Sequence, residues 1–325
     1  MPHSFNRRTA LQWMASTAFG AAFAPAVAAA ADTYPSQPVK IVMPFGPGGA
    51  DALYRIVAER LQELWRQPVL IDYKPGAATV VGTDFVTKSR PDGYTLGMAG
   101  ANLAVNPIFY KTPYRREDWR GVANLVEVQM ALVARPDAPF NTVKELIAYA
   151  KANPNTVNYG IAGLGATYMG MEILMRRGGF SMLKVGFNSN GTAQSELLGG
   201  RLDVLVDPLV GLAQHINAGK MKVLAMLGEN RFEGWEQHPT LSESLPGLAV
   251  SPYYGVIVPR ATPDPVVAKL EADLARVIGD KATQKRIAAL GLVPRFQSAK
   301  EFEQRSDADV RTFNDMARKM NIVLQ

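Results

Sequence analysis

A chain of 325 residues, 47% hydrophobic and 20% charged, is that of a globular protein long enough for two domains, each with its own core. The absence of cysteine excludes a disulfide framework, a thiolate nucleophile, an iron–sulfur cluster and a cysteine zinc site, and only three histidines remain for metal or serine–histidine chemistry. The formal charge of +6 does not call for nucleic acid, because Arg7 and Arg8 belong to a leader and the other basic residues are interspersed with 29 acidic ones.

Residues 1–31 have the pattern of a cleavable export signal. A basic start around Arg7-Arg8 leads into a mildly apolar stretch from Leu11 to Phe23, and then into alanine-rich sequence with several Ala-x-Ala cleavage options. The paired arginines resemble a twin-arginine signal, although Ala10 and Gln12 replace the usual Phe and Lys, and the general secretory route is the alternative. Gln12, Ser16, Thr17, Gly20 and Pro25 interrupt the stretch and disfavour a retained membrane span. The mature chain is therefore expected in the periplasm.

From Val39 onward short apolar runs alternate with helical periodicity. Val39–Met43 is a predicted strand; Leu53, Ile56, Val57, Leu61 and Leu64 then recur at helical spacing, and Val69–Ile71 forms the next strand. Further strands are expected at Tyr94–Met98, Val126–Ala134, Val157–Ile161, Leu183–Phe187, Val204–Val206, Val223–Met226 and Tyr254–Val258. Helices are expected at Thr142–Ala152, Thr167–Arg177, Thr192–Leu198, Pro208–Ala218, Pro263–Ile278 and Ala299–Met320. Strands separated by helices define an α/β fold with mainly parallel sheets flanked by helices. Breaks near Arg135–Pro139 and between Ser251 and Pro259 suggest two hinge crossings, with residues 32–135 plus 255–325 forming a first domain and 136–254 a second.

Three junctions between a loop and a helix are candidate anion seats. They contain Phe45, Gly48, Gly49, Ala50 and Asp51; Gly163, Leu164, Gly165, Ala166 and Thr167; and Asn190, Gly191 and Thr192. Unpaired amides and the helix dipole favour an anion there, and glycine permits close approach to the main chain. Asp207, at the C-terminal end of a predicted strand, could orient a polar ligand group or cap the following helix.

Nucleotide motifs fit poorly. Asp51 and Tyr168 occupy the third glycine position of the dinucleotide fingerprint in the first two loops, and neither loop ends in Lys-Ser or Lys-Thr. A Rossmann-like nucleotide-dependent enzyme is thus the alternative rather than the reading. His215 and His238 lie in a helix and a Pro-flanked loop, without metalloprotease or serine-hydrolase motifs. No catalytic residues, cofactor or metal are expected.

The ordered set Tyr34-Pro35-Ser36-Gln37-Pro38, Pro44-Phe45-Gly46-Pro47-Gly48-Gly49, Gln67-Pro68-Val69, Lys74-Pro75-Gly76-Ala77, Pro91–Leu96, Val105-Asn106-Pro107, Ala150–Pro154, Asn158-Tyr159-Gly160, Glu196–Gly200 and Ala289-Leu290-Gly291 resembles the Bug family. These are periplasmic substrate-binding proteins of tripartite tricarboxylate transporters. The resemblance implies a two-domain periplasmic-binding-protein clamshell that closes on a small carboxylate and presents it to one large and one small membrane subunit. It also implies that backbone amides and waters at the first two loops hold the carboxylate, and it matches Asp207 to the family's aspartate. A ligand-presenting sensory role is a further alternative.

Departures from the family pattern bear on the ligand. Ala50-Asp51 stands for Gly-Thr-Asp, Ile161 for Ser, Leu164 for Asn, Met169 for a frequent His and Leu103 for a common His, and Phe187-Asn188-Ser189 replaces Tyr-Lys-Gly; Asn190 adds one amide. The expected pocket is more apolar than that of a citrate binder and suits an apolar or aromatic ligand body.

Overall fold

The computed structural model describes residues 34–46, 50–162, 166–187, 189–248 and 250–319. The expected export signal lies outside them. Among the described residues no helix is long and apolar enough to cross a membrane.

The first lobe opens with strand β1 (Val39–Met43), helix α1 (Asp51–Trp65) and strand β2 (Val69–Tyr73). Leu53, Tyr54, Ile56, Val57 and Leu61 of α1 are buried, as their spacing predicts. There follow α2 (Val80–Thr87), β3 (Thr95–Ala99), α3 (Asn102–Phe109) and β4 (Trp119–Val128). The second lobe comprises β5 (Met130–Ala134), α4 (Val143–Ala152), β6 (Asn158–Ala162), α5 (Ala166–Gly178), β7 (Leu183–Phe187), α6 (Asn190–Leu198), β8 (Val204–Pro208), α7 (Leu209–Asn217), β9 (Lys222–Met226) and the short α8 (Leu241–Ser244). The chain then returns through β10 (Tyr253–Pro259), α9 (Asp264–Gly279), α10 (Lys281–Ala288), β11 (Leu292–Gln297) and α11 (Ala299–Lys319).

The strands form a six-stranded sheet, ordered β11-β4-β10-β3-β1-β2, and a five-stranded sheet, ordered β7-β6-β8-β5-β9. Both are mixed, which corrects the expectation of mainly parallel sheets. β1 pairs parallel with β2 and β3, and β6 with β7 and β8, but every pairing of β4, β5 and β10 is antiparallel. The strands that carry the chain between lobes run against the βαβ units beside them. The single strand expected over Val126–Ala134 is two strands in different sheets, so the first passage occurs at Gln129, before Arg135. The second passage spans residues 227–252. The two passages are tied together, because Val128 N–H donates to the Pro252 carbonyl at 2.7 Å, and the first is also tied to α7, whose Leu209 N–H donates to the Gln129 carbonyl at 2.9 Å.

Helix α11 closes the first lobe by setting Phe302, fully buried, over β4 and β10. A Cβ at Gly121 would lie 2.7 Å from the Phe302 ring, and one at Gly255 would lie 2.6 Å from the Ala123 carbonyl and 2.9 Å from the ring. Both positions therefore need glycine for close packing.

Candidate functional site

Parallel βα units present helix N-termini at the C-terminal ends of their strands, the usual ligand side of an α/β sheet. In the first lobe β1 leads to the loop before α1, and β3 leads through Gly100 to α3. In the second lobe β6 leads to α5 and β7 to α6, while Asp207 sits near the end of β8. The junctions before α1, α5 and α6 are the three expected ones and Asp207 is the expected aspartate; the junction before α3 is additional.

The residues differ in what they can still offer a ligand. Phe45 is 43% exposed beside the first loop. Gly48 and Gly49 lie outside the described residues, as do Gly163, Leu164 and Gly165. Ala50 and Asp51 are buried, and the Asp51 carboxylate accepts hydrogen bonds from Tyr73 Oη at 2.5 Å and Arg55 Nε at 2.8 Å. Burial pushes its pKa up, but these hydrogen bonds and the Arg55 charge outweigh that and hold it below the usual carboxylate value. Its side chain is thus committed to fastening α1 to β2.

Helix α5 begins at Ala166, with Thr167 half-buried in its first turn. Helix α6 starts at Asn190 rather than Thr192 because Ser189 is its cap, the Oγ accepting from Thr192 N–H at 3.2 Å. Asn190, Gly191 and Thr192 are all exposed. Asp207 is only 2% exposed and does not cap α7; its Oδ2 accepts from Gln194 Nε2 at 2.5 Å. Burial pushes its pKa from 3.8 to about 6, with the Gln194 hydrogen bond opposing the rise.

One part of the first lobe carries no loop signature in the sequence. Ala77, Ala78 and Thr79 all have positive φ, of 43°, 50° and 84°, an uncommon run for residues other than glycine. The turn is held by Asn106 Nδ2, which donates to the Ala78 carbonyl at 2.7 Å and to Thr79 Oγ1 at 2.9 Å, and by Asn102 Nδ2, 2.8 Å from Thr79 Oγ1. It abuts the first loop, since a Cβ at Gly82, one turn later, would lie 2.8 Å from Pro44 Cα. The sequence signal was the pair of asparagines at Asn102 and Asn106, one helical turn apart.

Three of the positions where the sequence departs from the family pattern are apolar and buried: Ile161 at 3%, Met169 at 0% and Leu103 at 5% exposure. His238 packs near Trp235, with ring centroids 5.7 Å apart, and burial lowers its pKa. Cavities of about 820 and 420 Å³ lie against the passages between lobes, and among the described residues neither is lined by an expected site residue. No cluster of three metal-ligating side chains occurs among the described residues.

Two mixed sheets flanked by helices, joined by two passages, with helix N-termini at their strand ends, define a solute-binding protein of the periplasmic type. The family model for the tripartite tricarboxylate transporter family receptor matches residues 53–322, and the chain belongs to that family. It is 32% identical over 271 residues to protein BugT of Bordetella pertussis, covering 81% of this chain and 83% of that one. Among solved structures it is similar to Rpa4515 of Rhodopseudomonas palustris with adipate, at 26% identity and a TM-score of 0.77, covering 90% of this chain and all of that one. It is likewise similar to MatC of the same species with bound malate, at 27% identity and a TM-score of 0.72, covering 87% and 100% of the two chains. Proteins of this family bind solutes, and the chain is a binding protein rather than an enzyme.

Proposed function

We propose that this protein captures a small carboxylate in the periplasm, in the cleft between its lobes, and delivers it to the large and small membrane subunits of a tripartite tricarboxylate-type transporter. The carrying observation is the presence on both lobes of helix N-termini at the ends of parallel strands, suited to hold an anion with backbone amides. The adipate bound by Rpa4515 and the malate bound by MatC support a carboxylate as the ligand. In this reading Gly48, Gly49, Gly163 and Gly165 form the carboxylate seat. Asp207, which is buried with no ion pair among the described residues, suits a hydroxyl or amine on the ligand's body and keeps the carboxylate at the seat.

A thermal-shift screen of aliphatic and aromatic carboxylates against residues 32–325 tests this. A ligand at one hundred times its Kd is expected to stabilise the fold by about 2.7 kcal/mol. Gly48→Leu and Gly165→Leu are expected to lose that increment by filling the seat. Stabilisation by no carboxylate, or the same rise in both variants, refutes the reading. Tight citrate binding without aromatic binding refutes its apolar form. Capture of the loaded protein by the reconstituted membrane subunits tests delivery.

A further inference from the structure

The lobes touch through two aromatic rings near the N-terminus of α5. Phe109 is the last residue of α3 in the first lobe, and Tyr168 lies in the first turn of α5 in the second. Their centroids are 5.9 Å apart and their planes tilted by 55°, within the range in which aromatic pairs attract. Both are half-buried, so each retains ring surface free for another group. Lys184 Nζ on β7 lies 4.5 Å from the Tyr168 centroid and holds that ring by a cation–π contact.

Position relative to the seat gives the pair its meaning. Tyr168 is the third residue of α5, so its ring stands in the first turn behind the helix N-terminus. A ligand whose carboxylate rests on the α5 N-terminus carries its body toward that first turn. The buried Ile161, Leu103 and Met169 offer no hydrogen-bonding groups to such a body.

We infer that Phe109 and Tyr168 are specificity-determining residues, forming an aromatic wall across the cleft that selects carboxylates with a flat apolar body over those with a polar one. This rests on the carboxylate-binding reading above. Phe109 contributes from one lobe and Tyr168 from the other, so the wall is complete only when the lobes are together, and the ligand that best fills it gains most from closure.

Isothermal titration with benzoate and malate tests the inference on the parent and on Phe109→Ala, Tyr168→Ala and Tyr168→Phe. Each alanine variant is expected to weaken benzoate binding roughly three- to tenfold while leaving malate nearly unchanged. Tyr168→Phe keeps the ring and is expected to match the parent. Equal weakening of both ligands overturns the inference by marking a contact that only holds the lobes together, and unchanged benzoate binding or malate binding alone in the parent overturns it too. A parent that binds neither benzoate nor malate, nor any carboxylate in the thermal-shift screen, removes the carboxylate reading itself, and the inference with it.

Discussion

At pH 7.5 the Asp207→Asn variant is expected to be more stable than the parent by about 3 kcal/mol, and at pH 4 the gap is expected to shrink to about 0.5 kcal/mol. The reason is burial. Among the described residues the Asp207 side chain has one hydrogen-bond partner, Gln194, and no ion pair, and its pKa in the fold is about 6 against an ordinary 3.8. The folded chain therefore holds this proton more tightly than the unfolded one. Below the ordinary value both states are protonated and the difference vanishes; as pH rises through the folded pKa the unfolded state gains by ionising first, and the parent loses stability. Asparagine keeps the shape without the charge. Urea unfolding at the two pH values checks this, and an Asp207→Asn difference independent of pH contradicts it. A charge retained at such a cost accords with the ligand contact proposed for Asp207.

Phe302→Ala is expected to destabilise the protein by about 3–5 kcal/mol, the range for removing a fully buried aromatic ring. The cavity cannot readily collapse. The ring rests on the backbone at Gly121 and Gly255, and both strands are fixed in the middle of the six-stranded sheet. Chemical denaturation followed by far-ultraviolet circular dichroism measures the loss, and a change below about 1 kcal/mol contradicts this packing account. Because β4 and β10 also lead into the second lobe, the damage should extend to ligand-induced stabilisation.

The βα units were legible because their periodicity is undisturbed. In Leu53, Ile56, Val57 and Leu61, and in the strand Val39–Met43, local pattern and tertiary burial agree. The passage at Gln129 was not legible. It interrupts an apolar run with one polar residue and no glycine or proline, and only the sheet partners reveal two strands. Strand β11 was hidden because Pro294 lies within it, which its edge position tolerates. At the candidate site, the glycine loops and Asp207 announce themselves by residue type. The turn at Ala77–Thr79 does not, because alanine and threonine carry no preference for positive φ, and the side chains of Asn102 and Asn106 hold them there. Phe109 and Tyr168 escaped for the same kind of reason, since their juxtaposition exists only between lobes.

The unequal passages have a consequence for how such chains can diverge. Within residues 227–252 the largely exposed stretch 229–237 can gain or lose length at little entropic cost, whereas Thr240, Leu241, Leu248 and Val250 are packed in the core. An insertion of one residue beside Gln129 has no such freedom. It would shift β5 against β8 and β9 by one step and turn the buried faces of Leu132 and Val133 over together. Length variation among descendants of this chain should therefore accumulate in the second passage and be absent from the first.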